Sequence, residues 1–140
     1  IFNIYTWVYR ITNDDYPYSW EEPFFGGMMG KEEYEENEKV IQYIEKNEKN
    51  VIVFSHRAAL YMVPLKRNNG DFDLPFKGNF GFKGEEGLIE KIDEAVDTQF
   101  LLLKNEEVDE RIYQESTKIN EYIKNTKQYM GEIENFEIYE

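Results

Sequence analysis

The sequence predicts an α/β domain, a three-layer arrangement in which helices cover both faces of a mostly parallel sheet of about four or five strands. Three observations carry that expectation. Val51-Ile52-Val53-Phe54-Ser55 is an uncharged, β-branched run in an acidic chain, the pattern of a strand buried on both faces. Thr98-Gln99-Phe100-Leu101-Leu102-Leu103 repeats that pattern downstream. Around the two runs, apolar residues return at helical rather than strand spacing.

Taken in order, Ile1 to Ile11 alternates, with Ile4, Thr6, Val8 and Arg10 on one face and Tyr5, Trp7 and Tyr9 on the other. That period reads as a first strand. Thr12 to Gly30 carries Asn13-Asp14-Asp15, Pro17, Pro23 and Gly26-Gly27, the chemistry of a long loop. Lys31 to Asn47 sets Tyr34, Val40, Ile41 and Ile44 on one side of a helix. The strand at Val51 follows, and Ala58 to Val63 is an apolar helical stretch that stops before Pro64. Lys66 to Lys83 holds Asn68-Asn69-Gly70, Pro75, Gly78 and Gly81, so it is a second long connection.

Gly84 or Glu85 opens a helix along which Leu88, Ile89, Ile92 and Val96 keep helical spacing. After the strand at Thr98, Asn105 is the expected N-cap of a helix running to about Asn125, with Val108, Ile112, Ile119, Tyr122 and Ile123 inward. Tyr129 to Tyr139 is expected as one terminal strand, bent at Gly131, that closes the sheet as an antiparallel edge.

At 140 residues the chain has the size of a single domain, and residues 1–140 are read as one. Its 11 Tyr, 10 Phe and 2 Trp supply an aromatic-rich core with rings left over for an interface. The formal charge of −13 argues against nucleic acid as a partner, and against attachment to an anionic leaflet through a basic patch. The absence of cysteine excludes disulfides, thiolate catalysis and cysteine-based zinc sites. No run approaches the roughly 18 apolar residues of a membrane span. Ile1-Phe2-Asn3-Ile4-Tyr5 reads as the inside of a strand, so a piece of a longer protein is expected.

Ligands of open parallel sheets bind beyond the carboxyl ends of the strands, which here directs attention to Ser55, His56 and Arg57. His56 is the sole histidine and sits beside a hydroxyl and a guanidinium, where a general base would stand. The simpler role is a histidine that caps the next helix or pairs with a carboxylate. Asn79 and Gly81 of the glycine-rich loop are the other candidate ligand contacts. Gly78, Gly81, Gly84 and Gly87 recur every third residue, yet the spacing matches neither common phosphate-binding motif. Asp71-Phe72-Asp73 resembles a divalent-metal pair in spacing, but Leu74-Pro75-Phe76 behind it has the character of packing. No metal and no cofactor is expected. Trp20, Phe24 and Phe25, in the ring-rich first loop, are the candidate interaction surface.

Residues from about 50 to 139 also carry a family likeness. The strand Asn50-Val51-Ile52-Val53-Phe54-Ser55, the segment Ala58-Ala59-Leu60-Tyr61-Met62 and the stretch from Phe72 to Gly84 belong to it, as do Phe100-Leu101-Leu102-Leu103 and the tail Gly131 to Glu140. Together they resemble the C-terminal soluble domain of bacterial polytopic membrane proteins that are similar to glycosyltransferases using lipid-linked sugars, or of uncharacterised membrane proteins of that type. The resemblance implies a domain on the extracytoplasmic face of the cell membrane, tethered to a membrane-embedded part of the same parent chain. Glycan or lipid-linked sugar is then the implied small partner. Catalytic carboxylates in such transferases lie in the membrane part, so the implied role here is accessory. Two other classes remain open on the residues alone: a stand-alone nucleotide- or sugar-nucleotide-binding enzyme, and a protein-interaction module.

Overall fold

The two apolar runs lie side by side. In the computed structural model, which describes residues 31–73, 78–104 and 116–140, β1 (Asn50–Phe54) pairs in parallel with β2 (Thr98–Leu103), Val53 opposite Leu101. The helices follow the apolar spacing closely. α1 spans Lys31–Lys46, α2 Ala58–Met62 and α3 Gly84–Glu94, with a short 3-10 turn at Gly70–Phe72 between the last two. Acidic residues open α1 and α3 (Glu32, Glu33; Glu85, Glu86) and lysines close them (Lys46; Lys91), the arrangement each helix dipole favours. Among the described residues no helix is long and apolar enough to cross a membrane.

The expected single strand at the C-terminus is a hairpin. β3 (Tyr129–Ile133) and β4 (Phe136–Tyr139) turn on Glu134 and Asn135, with Glu134 at φ +47°, and the pairing slips by one residue between Tyr129 and Gly131. β4 lies against β2 in antiparallel sense, giving the order β1-β2-β4-β3. The sheet is therefore mixed rather than mostly parallel: one parallel pair and two antiparallel pairs among the described residues. β4 leaves β3 through a tight hairpin and so must run opposite to it; docked on β2 it is the one strand that runs against the others, while β3 keeps the direction of β1 and β2.

Helix ends supply two further corrections. α3 stops at Glu94, where Ala95 turns extended, so Val96 is exposed instead of continuing the apolar stripe. Downstream, α4 spans Thr117–Thr126 and is capped by Ser116, whose backbone is extended, so no continuous helix runs from Asn105 to Asn125. Ile119 and Ile123 face inward as expected. Asn105, Val108 and Ile112 lie outside the described residues, as do the expected first strand at Ile1 to Ile11, the loop up to Gly30 and the Leu74-Pro75-Phe76 segment.

Alternation along the strands divides the core in two. Val51, Val53, Leu101, Phe136 and Ile138 pack with Val40, Ile41 and Ile44 of α1 and with Tyr61 and Met62 of α2. Their neighbours Ile52, Phe54, Phe100, Leu102 and Tyr139 pack with Leu88 and Ile92 of α3, Ile119 and Ile123 of α4, and Phe72. Ring contacts anchor each half: Tyr61 meets Phe136 edge-on at 5.4 Å, and Phe54 meets Phe72 at 5.4 Å. Ile44, Val53, Phe54, Ile92 and Leu101 are all 0 % exposed, and each such side chain contributes roughly 1.5–3 kcal/mol by leaving water.

Candidate functional site

Directly after β1 the chain makes a tight turn into α2, and Ser55 builds it. Its Oγ accepts a hydrogen bond from the Arg57 backbone N–H at 3.0 Å, and its carbonyl accepts from Ala58 N–H at 3.0 Å. Ser55 is fully buried, His56 half-buried and Arg57 exposed. The Arg57 guanidinium reaches Glu33 on α1 at 3.3 Å, an ion pair with both partners in water. The three residues thus stand at the carboxyl end of β1, as the sequence places them, and Ser55 and Arg57 hold the turn to its neighbours there.

Asn79 and Gly81 are elsewhere. They line a cleft of about 590 Å³ between their own loop and α3, which Ser55, His56 and Arg57 do not line. Because Arg57 reaches to α1 and α3 packs on the other half of the core, the two groups form separate sites. Gly81 at φ +75° and Gly84 at φ +64° reverse the chain around Phe82 and lead into α3. At Gly87 the constraint is space, since a methyl group there would meet the Lys83 Cβ at 2.5 Å. The recurring glycines serve the turns and one close approach, which accounts for a spacing unlike either phosphate motif.

Asp71 and Asp73 also border this cleft. Asp71 is paired with Lys91 of α3, and among the described residues no group of three carboxylate or imidazole side chains is arranged to hold a metal ion. A second ion pair, Lys83 Nζ to Glu90 at 2.7 Å, lies along the same helix. Trp20, Phe24 and Phe25 lie outside the described residues.

One polar constellation escaped the sequence reading. Gln99, buried near the start of β2, accepts from the Tyr43 hydroxyl at 2.5 Å and from Asn47 Nδ2 at 2.6 Å through a single Oε1. Its Nε2 donates to Glu140 at 3.2 Å, and Glu140 is in turn paired with Lys49. Burial pushes the Tyr43 hydroxyl above its ordinary pKa, with the Asn47 hydrogen bond pulling the other way. This clasp fastens the last residue to α1 and β2 at the end of the sheet away from Ser55. A lone glutamine inside an apolar run was its only signal in the sequence. Comparison with known protein families, with characterised proteins and with solved structures finds no match.

Proposed function

We propose that this domain is a non-catalytic accessory unit of a bacterial integral membrane protein, standing on the extracytoplasmic face and serving lipid-linked sugar transfer in cell-envelope glycan assembly. The observation that carries the non-catalytic reading is how the chemistry-bearing side chains are used. Ser55 holds a turn, Arg57 pairs with Glu33, and Asp71 pairs with Lys91. Ser55 is spent on backbone, and the two charged side chains are already matched by neighbours of opposite sign. The membrane and glycan parts of the reading rest on the resemblance across residues 50–139. In this reading the sheet is the middle of three layers, and the membrane-embedded part of the same parent chain is the partner. Trp20, Phe24 and Phe25 are the rings offered to that partner.

Cell fractionation tests it. The native protein is expected in the membrane fraction after alkaline carbonate washing, and its epitope in this domain is expected to be lost when intact spheroplasts are treated with protease. Recovery in the soluble cytosol overturns the location. Turnover of a sugar nucleotide by the isolated chain, abolished by His56→Ala in a protein that remains folded, overturns the non-catalytic role and installs the enzyme reading.

A further inference from the structure

Among the described residues Phe82 is the most exposed large apolar side chain, and it stands on the rim of the cleft between the Asn79–Lys83 loop and α3. Single exposed apolar residues are ordinary on protein surfaces. Phe82 differs in its setting: Gly81 and Gly84, both at positive φ, turn the chain on either side of it, and the residue borders a cleft of about 590 Å³.

Charge then limits what can cover the ring. Among the described residues four carboxylates (Asp71, Asp73, Glu90, Glu94) and two ammonium groups (Lys83, Lys91) line the cleft. Both lysines are engaged, Lys83 with Glu90 and Lys91 with Asp71. Asp73 and Glu94 are left without an ion-pair partner among the described residues. A phosphate or an anionic headgroup would meet net negative charge here, in a chain that already carries −13. A purely apolar partner would desolvate two carboxylates and pair neither.

We propose that this cleft docks an arginine side chain presented by a partner polypeptide. A guanidinium is planar, stacks on an aromatic face and offers a fork of N–H donors to carboxylates, so one group answers both the ring and the open charges. A lysine ammonium supplies charge without the plane or the fork. The cleft is also larger than a lone guanidinium ion needs, which suits a side chain with backbone on either side. Arginine and aromatic residues are the groups most often found at the energetic centre of protein interfaces.

The test is an amide NMR titration of the full chain at low ionic strength with the tripeptide acetyl-Gly-Arg-Gly-amide. Its lysine counterpart and guanidinium chloride serve as separate arms at matched concentration. Saturating shifts are expected at Asp73, at residues 79–84 and at residues 90–94, stronger for the arginine peptide than for either other arm. Phe82→Ala is expected to weaken binding about three- to fivefold, with Phe82→Tyr retaining it. Full exposure of Phe82 means the replacement leaves the rest of the spectrum in place. Equal shifts from the lysine peptide overturn the proposal by reducing the site to charge, and equal shifts from guanidinium ion remove the polypeptide. Shifts spread over the whole acidic surface, or unchanged binding by Phe82→Ala, also overturn it.

Discussion

The side-chain amide of Asn69 bonds both backbone groups of Val53, accepting from its N–H at 2.9 Å and donating to its carbonyl at 2.8 Å. Val53 lies on the outer strand of the described sheet, and the carboxamide occupies the place a neighbouring strand's peptide unit would take. A second donated bond, to the Phe72 carbonyl at 3.0 Å, ties the 3-10 turn to the same point. Buried backbone groups must be paired, and here one side chain pairs three of them.

Asn69→Ala is therefore expected to cost about 2–4 kcal/mol, since it strands a buried donor and two buried acceptors together. Asn69→Asp keeps an acceptor, loses both donated bonds and buries a carboxylate, so at neutral pH it is expected to be at least as damaging. Urea unfolding reads both, with the midpoint moving and the slope constant. A loss well under about 1 kcal/mol would mean that water or another group replaces the amide.

Ser116 links two helices. Its Oγ accepts from Ile119 N–H at 3.1 Å as the cap of α4 and donates to Glu85 in the first turn of α3. Ser116→Ala is expected to cost about 1 kcal/mol. Ser116→Asp restores a good cap but sets a second carboxylate against Glu85, so it recovers stability only together with Glu85→Gln. A double-mutant cycle measures that coupling, and strict additivity of the two changes would contradict it.

Several tyrosines resist ionisation. Burial raises Tyr43 and, with Glu137 adding to it, Tyr139; the hydrogen bond to Asp93 raises Tyr122. Unfolded tyrosine ionises near pH 10, so the unfolded chain releases these protons first. Stability linked to them is complete below that value and declines as pH rises through the folded-state values. Phenolate absorbance should titrate at higher pH in buffer than in concentrated urea, and coincident curves would contradict this.

At the end of β1 two neighbouring residues should differ in weight. Arg57 and Glu33 form an exposed pair, so Arg57→Ala is expected to change stability by less than about 1 kcal/mol. Ser55 is buried and holds the Arg57 N–H, so Ser55→Ala is expected to cost more, about 1–2 kcal/mol. Chemical denaturation of the two variants gives the order directly, and the reverse order would show that the ion pair fixes the turn.

The strand-end residues Ser55, His56 and Arg57 were legible because β1 is an uncharged run whose last residue is plain in the chain. Their separation from Asn79 and Gly81 was not, because nothing local says which half of the core the second loop joins. The hairpin was hidden for a similar reason. Glu134-Asn135 lacks the glycine that usually marks a two-residue turn, and Glu134 takes φ +47° without it. Asn69 looked like loop chemistry, and only its seat beside Val53 makes it part of the sheet.

Local pattern alone determined that the apolar runs at Val51 and Thr98 are strands and that helices start at Lys31 and near Gly84, because the period of apolar residues decides which face a segment can bury. Tertiary structure alone decided the order β1-β2-β4-β3, the antiparallel docking of β4 on β2, and the partners of Asn69, Gln99 and Ser116. The side-chain pairs Asn69–Val53, Ser116–Glu85 and Gln99–Tyr43 join residues 16, 31 and 56 positions apart, and a hydrogen bond across such a distance leaves no periodicity in the chain to read.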